Sequence, residues 1–183
     1  MNAIRERRSH KRFKDKPLAQ AEIRALIDAA VLAPNHKMTQ PWGFVVLGRL
    51  ARRRYGELKA AAKVRGEMDP AIAAEKKEKI AAELAAVPGV IVVTQKVDAD
   101  PARAEEDYAA VWMGIENMLL LATSMQLGSK VHTGSITDEL GMRHLIDAAE
   151  DERIVAIVHI GEPAEDPPAK QRIPANDKTR WLP

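Results

Sequence analysis

The chain of 183 residues is 46% hydrophobic and 30% charged, with a formal net charge of +2. Those values fit one ordinary soluble globular domain spanning 1–183, large enough to bury a real core, and give no overall pull toward nucleic acid. The absence of cysteine excludes disulfides, thiol nucleophiles and cysteine-ligated metals.

Residues 3 to 8 are expected to form a short helix capped by Asn2. The opening MNAIRERRSHKRF lacks an apolar signal core, so a cytoplasmic location is expected. Its charge is uneven: residues 1 to 16 hold seven Lys and Arg against only Glu6 and Asp15, so something anionic is expected there. Leu18 to Leu32 reads as an amphipathic helix with Ile23, Leu26, Ile27, Ala30 and Val31 on one face. Pro34 and Pro41 then bracket APNHKMTQPW. A proline lacks the amide donor and pushes its predecessor to an extended backbone, so this segment is a loop. It presents Asn35, His36, Lys37, Thr39 and Gln40 just before a short strand at Gly43 to Leu47.

Residues 49 to 86 are rich in Ala, Lys, Arg and Glu and predict one or two exposed helices, with Asp69 before Pro70 marking a helix start and Glu75 to Lys79 a supporting pair. Pro88-Gly89 ends them, and Val90 to Thr94 is a continuously apolar, fully buried strand. Tyr108 to Gln126 is apolar around most of its circumference, which predicts a central helix covered on all sides and, in so short a chain, a partner subunit. The segment 107–126 still carries Glu116 and Asn117 and does not read as a membrane span. Gly128 is expected to cap the long helix, SKVHTGS to lead to a helix beginning near Thr137, and Ile154 to Ile160 to form a third buried strand. A proline-rich tail follows from Pro163 to Pro183. This order of elements points to a layered α/β or α+β domain.

The five histidines, His10, His36, His132, His144 and His159, show no HxxxH spacing, so no metal site is expected. There is no GxSxG elbow, no GxGxxG and no GxxxxGK[ST], which removes the usual hydrolase, dinucleotide-fold and P-loop readings. What remains is a set of separated segments able to contact anions or heteroatoms: Arg7-Arg8-Ser9, the 33–42 loop, Val131-His132-Thr133 and Lys170-Gln171-Arg172. Guanidinium forks match anionic oxygens and a serine hydroxyl can donate as well. Lys170 and Arg172, two residues apart in an extended tail, point the same way.

Taken together, RRSHKRF, APNHKMTQPWGFVVL, LGSKVHTGSITDELGMRHLI and DERIVAIVHIGEP resemble the FMN-dependent nitroreductase family in order and spacing, and most of all its minimal, short bacterial members. The resemblance implies an α+β fold, a three-layer sandwich with a central mixed sheet flanked by helices, assembled as an intertwined homodimer with FMN at the subunit interface. It implies that Arg7, Arg8 and Ser9 hold the ribityl, phosphate and pyrimidine side, and that Asn35 and His36 reach the flavin of the partner. Val131, His132 and Thr133 would lie along one side of the isoalloxazine, and Lys170 and Arg172 would close on the phosphate. Met38 stands where many members carry Asn, and Val131 and His132 where close relatives often carry Trp and Arg. The implied activity is an NAD(P)H oxidoreductase passing hydride through flavin N5, in a ping-pong cycle, to a nitroaromatic, quinone or enone type acceptor. No protein group is then a catalytic residue, and no metal, nucleic acid or membrane is a partner. Charge from Arg8 or Lys11 near the pyrimidine edge would stabilise the anionic reduced flavin. The same contacts also permit a non-catalytic FMN-binding, storage or sensing protein.

Overall fold

In the computed structural model, which describes residues 2–183, the helices are α1 (Ala3–Glu6), α2 (Gln20–Ala30), α3 (Arg49–Lys63), α4 (Pro70–Ala85), α5 (Pro101–Ser124) and α6 (Leu140–Leu145). The strands are β1 (Trp42–Val46), β2 (Gly89–Lys96), β3 (Gly128–His132) and β4 (Glu152–Gly161). They form one sheet in the order β1-β2-β4-β3, leaving β1 and β3 at its edges.

Three layers follow from the alternation of side chains along the central strands. Ile91 and Val93 of β2, with Val158 and Ile160 of β4, pack on one face with Leu26 and Ala30 of α2 and Val111, Ile115 and Met118 of α5. Val90, Val92 and Ile157 turn to the other face, where Tyr55 of α3, Met142 of α6 and Ile146 just after that helix cover them. Both faces of the two inner strands are therefore dry, which is why β2 and β4 read as unbroken apolar runs. Asp69 caps α4 as its sequence suggests, its carboxylate accepting from Ala71 N at 2.8 Å and Ile72 N at 3.3 Å.

The basic N-terminal segment runs beside the β3 edge and then beside the exit of β4. His10 N donates to Ser129 O at 2.9 Å, Lys14 N to Glu162 O at 2.9 Å, and Ala164 N to Arg12 O at 3.2 Å. Lys14 and Lys16 both pair with the Glu162 carboxylate, which they hold down at about 2. These contacts carry residues 7–11 to the place where the tail leaves the sheet.

Four local expectations are corrected. Gly128 does not cap α5; Gln126 does, taking a left-handed φ of 60° while Leu127 N donates to Ala122 O at 2.8 Å, the arrangement of a Schellman cap. Gly128 instead opens β3, where a Cβ would lie 2.7 Å from Cγ of the His10 ring, so the close approach of the N-terminal segment requires glycine. The helix expected near Thr137 begins at Leu140, because Gly134 at φ 84° makes a turn in which Thr137 N and Oγ1 both bond Gly134 O. Asn2 makes no side-chain capping bond to α1. Finally, within the α+β sandwich every ladder between named strands is antiparallel rather than mixed, and the parallel pairing is confined to the bridge Ser9 to Ser129.

Glycines set the spacing between packed helices. A Cβ at Gly114 of α5 would stand 2.9 Å from Ala30 O of α2, and one at Gly56 of α3 would stand 2.9 Å from Cα and O of Ala81 in α4. Alanine favours a helix by about 1 kcal/mol over glycine, but a clash with rigid backbone outweighs that gain. Gly114→Ala and Gly56→Ala should each lower stability by about 1–3 kcal/mol in urea unfolding. Gly66→Ala, where nothing lies within 4 Å, should leave it nearly unchanged.

Candidate functional site

A cavity of about 910 Å³ opens where the N-terminal segment meets the tail. Arg7, Arg8 and Ser9 line it from one side, Lys170 and Arg172 from the tail, and Lys130 from the β3 edge. Its seven cations, which also include Arg5 and Lys11, outnumber the three carboxylates Glu116, Glu165 and Asp166. Only part of that charge is answered internally: Arg7 Nε stands 3.6 Å from Glu116 of α5. Arg8 turns its Nη1 to Arg5 O at 2.5 Å and Arg7 O at 2.9 Å, and its other guanidinium donors meet no partner among the described residues. A cavity with this balance selects an anion, and guanidinium groups from two chain ends suit a phosphate.

The other expected residues stand elsewhere in the same chain. Asn35 and His36 belong to a loop docked on the first half of α5. His36 Nδ1 lies 2.7 Å from Glu106, Thr39 Oγ1 donates to the buried Asp107 at 2.5 Å, and Asn35 Oδ1 accepts from Gln40 N at 3.0 Å. Glu106 and Glu116 are ten residues apart, roughly 15 Å of helix axis, so this loop does not reach the cavity of its own chain. Lys37, Met38 and Gln40 all have left-handed φ, at 53°, 55° and 47°. Such strain in non-glycine residues gathers at functional loops and survives only where surrounding contacts impose it.

Val131 packs toward the α2/α5 core, Thr133 is exposed, and His132 points to the opposite face of the sheet. There His132 joins a half-buried polar network that nothing in the sequence announces. Lys59 Nζ of α3 donates to His132 Nδ1 at 2.6 Å and to the Tyr55 hydroxyl at 3.3 Å, and Tyr55 Oη meets His159 Nε2 at 3.1 Å. The two imidazole rings lie with centroids 4.1 Å apart and planes tilted by 43°. Burial, then Lys59 and Lys130, push His132 down to about 3, and burial with the same neighbours and His132 takes His159 well below its ordinary range. Burial first, then Lys130 and Lys63, lowers Lys59 to about 8. Burial also raises the Tyr55 hydroxyl. Lys130 was legible in retrospect, since period-two alternation places it on the same face as His132. Tyr55 and Lys59 sit one helical turn apart in a segment that gives no hint of its tertiary neighbours.

The model of the Nitroreductase family matches residues 4–162. The chain belongs to the nitroreductase family. YfhC of Bacillus subtilis (strain 168), named for NAD(P)H nitroreductase activity, is 30% identical over 175 residues, 96% of this chain and 90% of the relative. A nitroreductase-like family protein from Bacillus cereus superposes with a TM-score of 0.85 at 27% identity, covering 99% of this chain and 94% of the other. A mutant of the FMN and NADPH-dependent nitroreductase NfnB from Sphigopyxis sp. strain HMH has a TM-score of 0.80 at 17% identity, covering 100% and 98%, and so shares the fold. No helix among the described residues is long and apolar enough to cross a membrane. No group of three or more His, Asp or Glu among the described residues could hold a metal.

The buried imidazoles of this family member make a pH prediction. A histidine held below its unfolded value of about 6.5 is stabilising above that pH, and the contribution is lost as acid protonates the unfolded chain in preference. Stability should fall as the pH drops from about 6.5 toward about 3, by up to about 1.4 kcal/mol per pH unit for each of His132 and His159. Urea unfolding across that interval measures it. His159→Gln should reduce the slope by one proton, and a slope unchanged in that variant would mean that another group is responsible.

Proposed function

We propose that this nitroreductase-family chain is an FMN-dependent oxidoreductase that draws electrons from NAD(P)H and delivers them to a nitroaromatic, quinone or enone type acceptor. The observation that carries the reading is the cationic cavity assembled by Arg7, Arg8, Ser9, Lys170 and Arg172 from opposite ends of the chain. Its volume of about 910 Å³ lies within the range of small-molecule and cofactor sites, roughly 300–1,000 Å³. Its excess of guanidinium and ammonium groups fits a phosphate ester. FMN, when bound, supplies the two-electron redox chemistry that no side chain of a cysteine-free protein offers.

The residues then divide the binding work. Arg7, Lys170 and Arg172 hold the phosphate, with the Ser9 hydroxyl as a further donor. Arg8 and Lys11 supply positive charge toward the pyrimidine edge, where it favours an anionic reduced ring. The backbone of Val131, His132 and Thr133 at the β3 edge forms the strip beside the ring system, since the Val131 side chain packs into the core and the His132 side chain turns to α3. Asn35 and His36 serve the site of a second subunit in a homodimer. Their separation from the cavity along α5 supports that role, as do the strained loop and the exposure of Ile4 (68%), Leu32 (80%) and Met113 (42%). A subunit covering those side chains would supply the burial they lack.

The purified protein should carry flavin absorption bands at about one FMN per subunit and oxidise NADPH or NADH in the steady state when given a quinone. Flavin without turnover would favour a storage or sensing role, and no flavin affinity at all would overturn the proposal. Arg7→Ala and Arg172→Ala should each weaken FMN binding by roughly ten- to hundredfold, the loss expected for one charge-assisted partner. Fluorescence titration with FMN reads this directly, and unchanged affinity in both variants would move the phosphate elsewhere.

A further inference from the structure

Beside the cavity lies a second concentration of positive charge that the binding of one phosphate does not use. Lys59 and Lys63 stand one turn apart on α3, Lys59 meets His132 of the β3 edge, and the charges of Lys63, Lys130 and Lys11 act on one another and on Lys59 across this edge. None of these four lysines makes an ion pair with a carboxylate among the described residues; the nearby acids Glu67 and Glu139 pair instead with Lys76 and Arg65. The ammonium groups therefore repel one another while Lys59 and Lys130 are half-buried. Such an arrangement is unfavourable unless an anion from outside the chain completes it.

Lys59 is also held in place. Two of its three ammonium donors are engaged by His132 Nδ1 and the Tyr55 hydroxyl, which leaves one directed donor free. Because Nδ1 accepts, the proton of the neutral His132 ring resides on Nε2, and that buried atom has no partner. Fixed, incompletely used donors beside uncompensated cations form a preorganised oxyanion site.

We propose that Lys59, Lys63 and Lys130 form a subsite for an anionic oxygen group, a carboxylate or phosphate, carried by one of the two reactants. The inference rests on the oxidoreductase reading and extends it to substrate class. The group belongs either to an acidic acceptor or to the 2′-phosphate of NADPH, and both present the same chemistry to the lysines. Lys130 lines the main cavity and the subsite alike, so the reactant's charged end lies next to the cofactor cavity.

The test uses Lys59→Gln and Lys63→Gln, with Lys59→Arg as a charge-retaining control. Calorimetric titration with 4-nitrobenzoate and with 2′-AMP measures the subsite without turnover. Lys59→Gln should weaken at least one of these probes about tenfold or more, Lys63→Gln by a smaller factor, and Lys59→Arg should largely restore binding. Loss for 4-nitrobenzoate assigns the subsite to the acceptor, and loss for 2′-AMP assigns it to NADPH. With FMN-loaded protein, KM should rise for the matching charged reactant while its neutral counterpart, nitrobenzene or NADH, shifts less than about twofold. Equal shifts for charged and neutral reactants, or unchanged binding of both anionic probes, would overturn the subsite. A tenfold loss of FMN affinity in the same variants would assign the lysines to the flavin and overturn it as well. If wild-type protein takes up no flavin, the oxidoreductase reading fails separately, and the two calorimetric titrations still decide whether the lysines bind an anion.

Discussion

Everything at the candidate site depends on the docking of residues 9–16 against the open edge of β3 and the exit of β4. Backbone bonds from His10 to Ser129, from Lys14 to Glu162 and from Ala164 to Arg12 fix the track of this segment. The ion pairs of Lys14 and Lys16 with Glu162 lie along the same track, although exposed pairs of this kind add little stability by themselves. Gly128 permits the approach, since any side chain there would occupy the space of the His10 ring. Without that docking, the first arginines and the last basic residues would be two unrelated charged termini. With it, they face each other across one cavity.

The same geometry explains why the protein tolerates so much unpaired positive charge. Three carboxylates share the cavity with seven cations, and among the described residues Lys59, Lys63 and Lys130 make no ion pair, while Glu139 and Glu67 pair with Arg65 and Lys76. Neighbouring cations and burial lower Lys59, Lys130, His132 and His159 together, so the network stays largely hydrogen-bonded through neutral imidazoles. Buried polar groups are costly when incompletely paired, and their retention beside a cavity is the usual mark of a site shaped for a ligand.

A division of labour runs along α5. Its second half packs on the sheet and on α2, with Gly114 bringing the helix against Ala30 O, while Glu116 reaches Arg7 at the cavity. The first half carries Glu106 and Asp107, which hold the strained loop of Asn35, His36 and Thr39. One continuous rigid helix thus connects the cavity of a chain with the loop that the proposed homodimer lends to the other cavity.

Much of the fold was legible in the residues because periodicity is local. The alternating faces of Val90 to Val93, the Asp69-Pro70 helix start and the proline-bracketed loop each follow from rules that act over a few residues, and the ordered motif blocks identified the family. The paired basic segments at 7–9 and 170–172 were visible as anion ligands for the same reason: charge and side-chain chemistry belong to the residue itself. The family resemblance already implied that these segments meet and that Asn35 and His36 act outside the site of their own chain; only the tertiary structure decided that Lys130 lines the same cavity. It also decided that His132 turns away to meet Lys59, Tyr55 and His159, and that Gln126 rather than Gly128 closes the long helix. Those outcomes depend on contacts between residues tens of positions apart, on edge-strand docking and on steric space at a single Cβ, and none of these has a periodic signature along the chain.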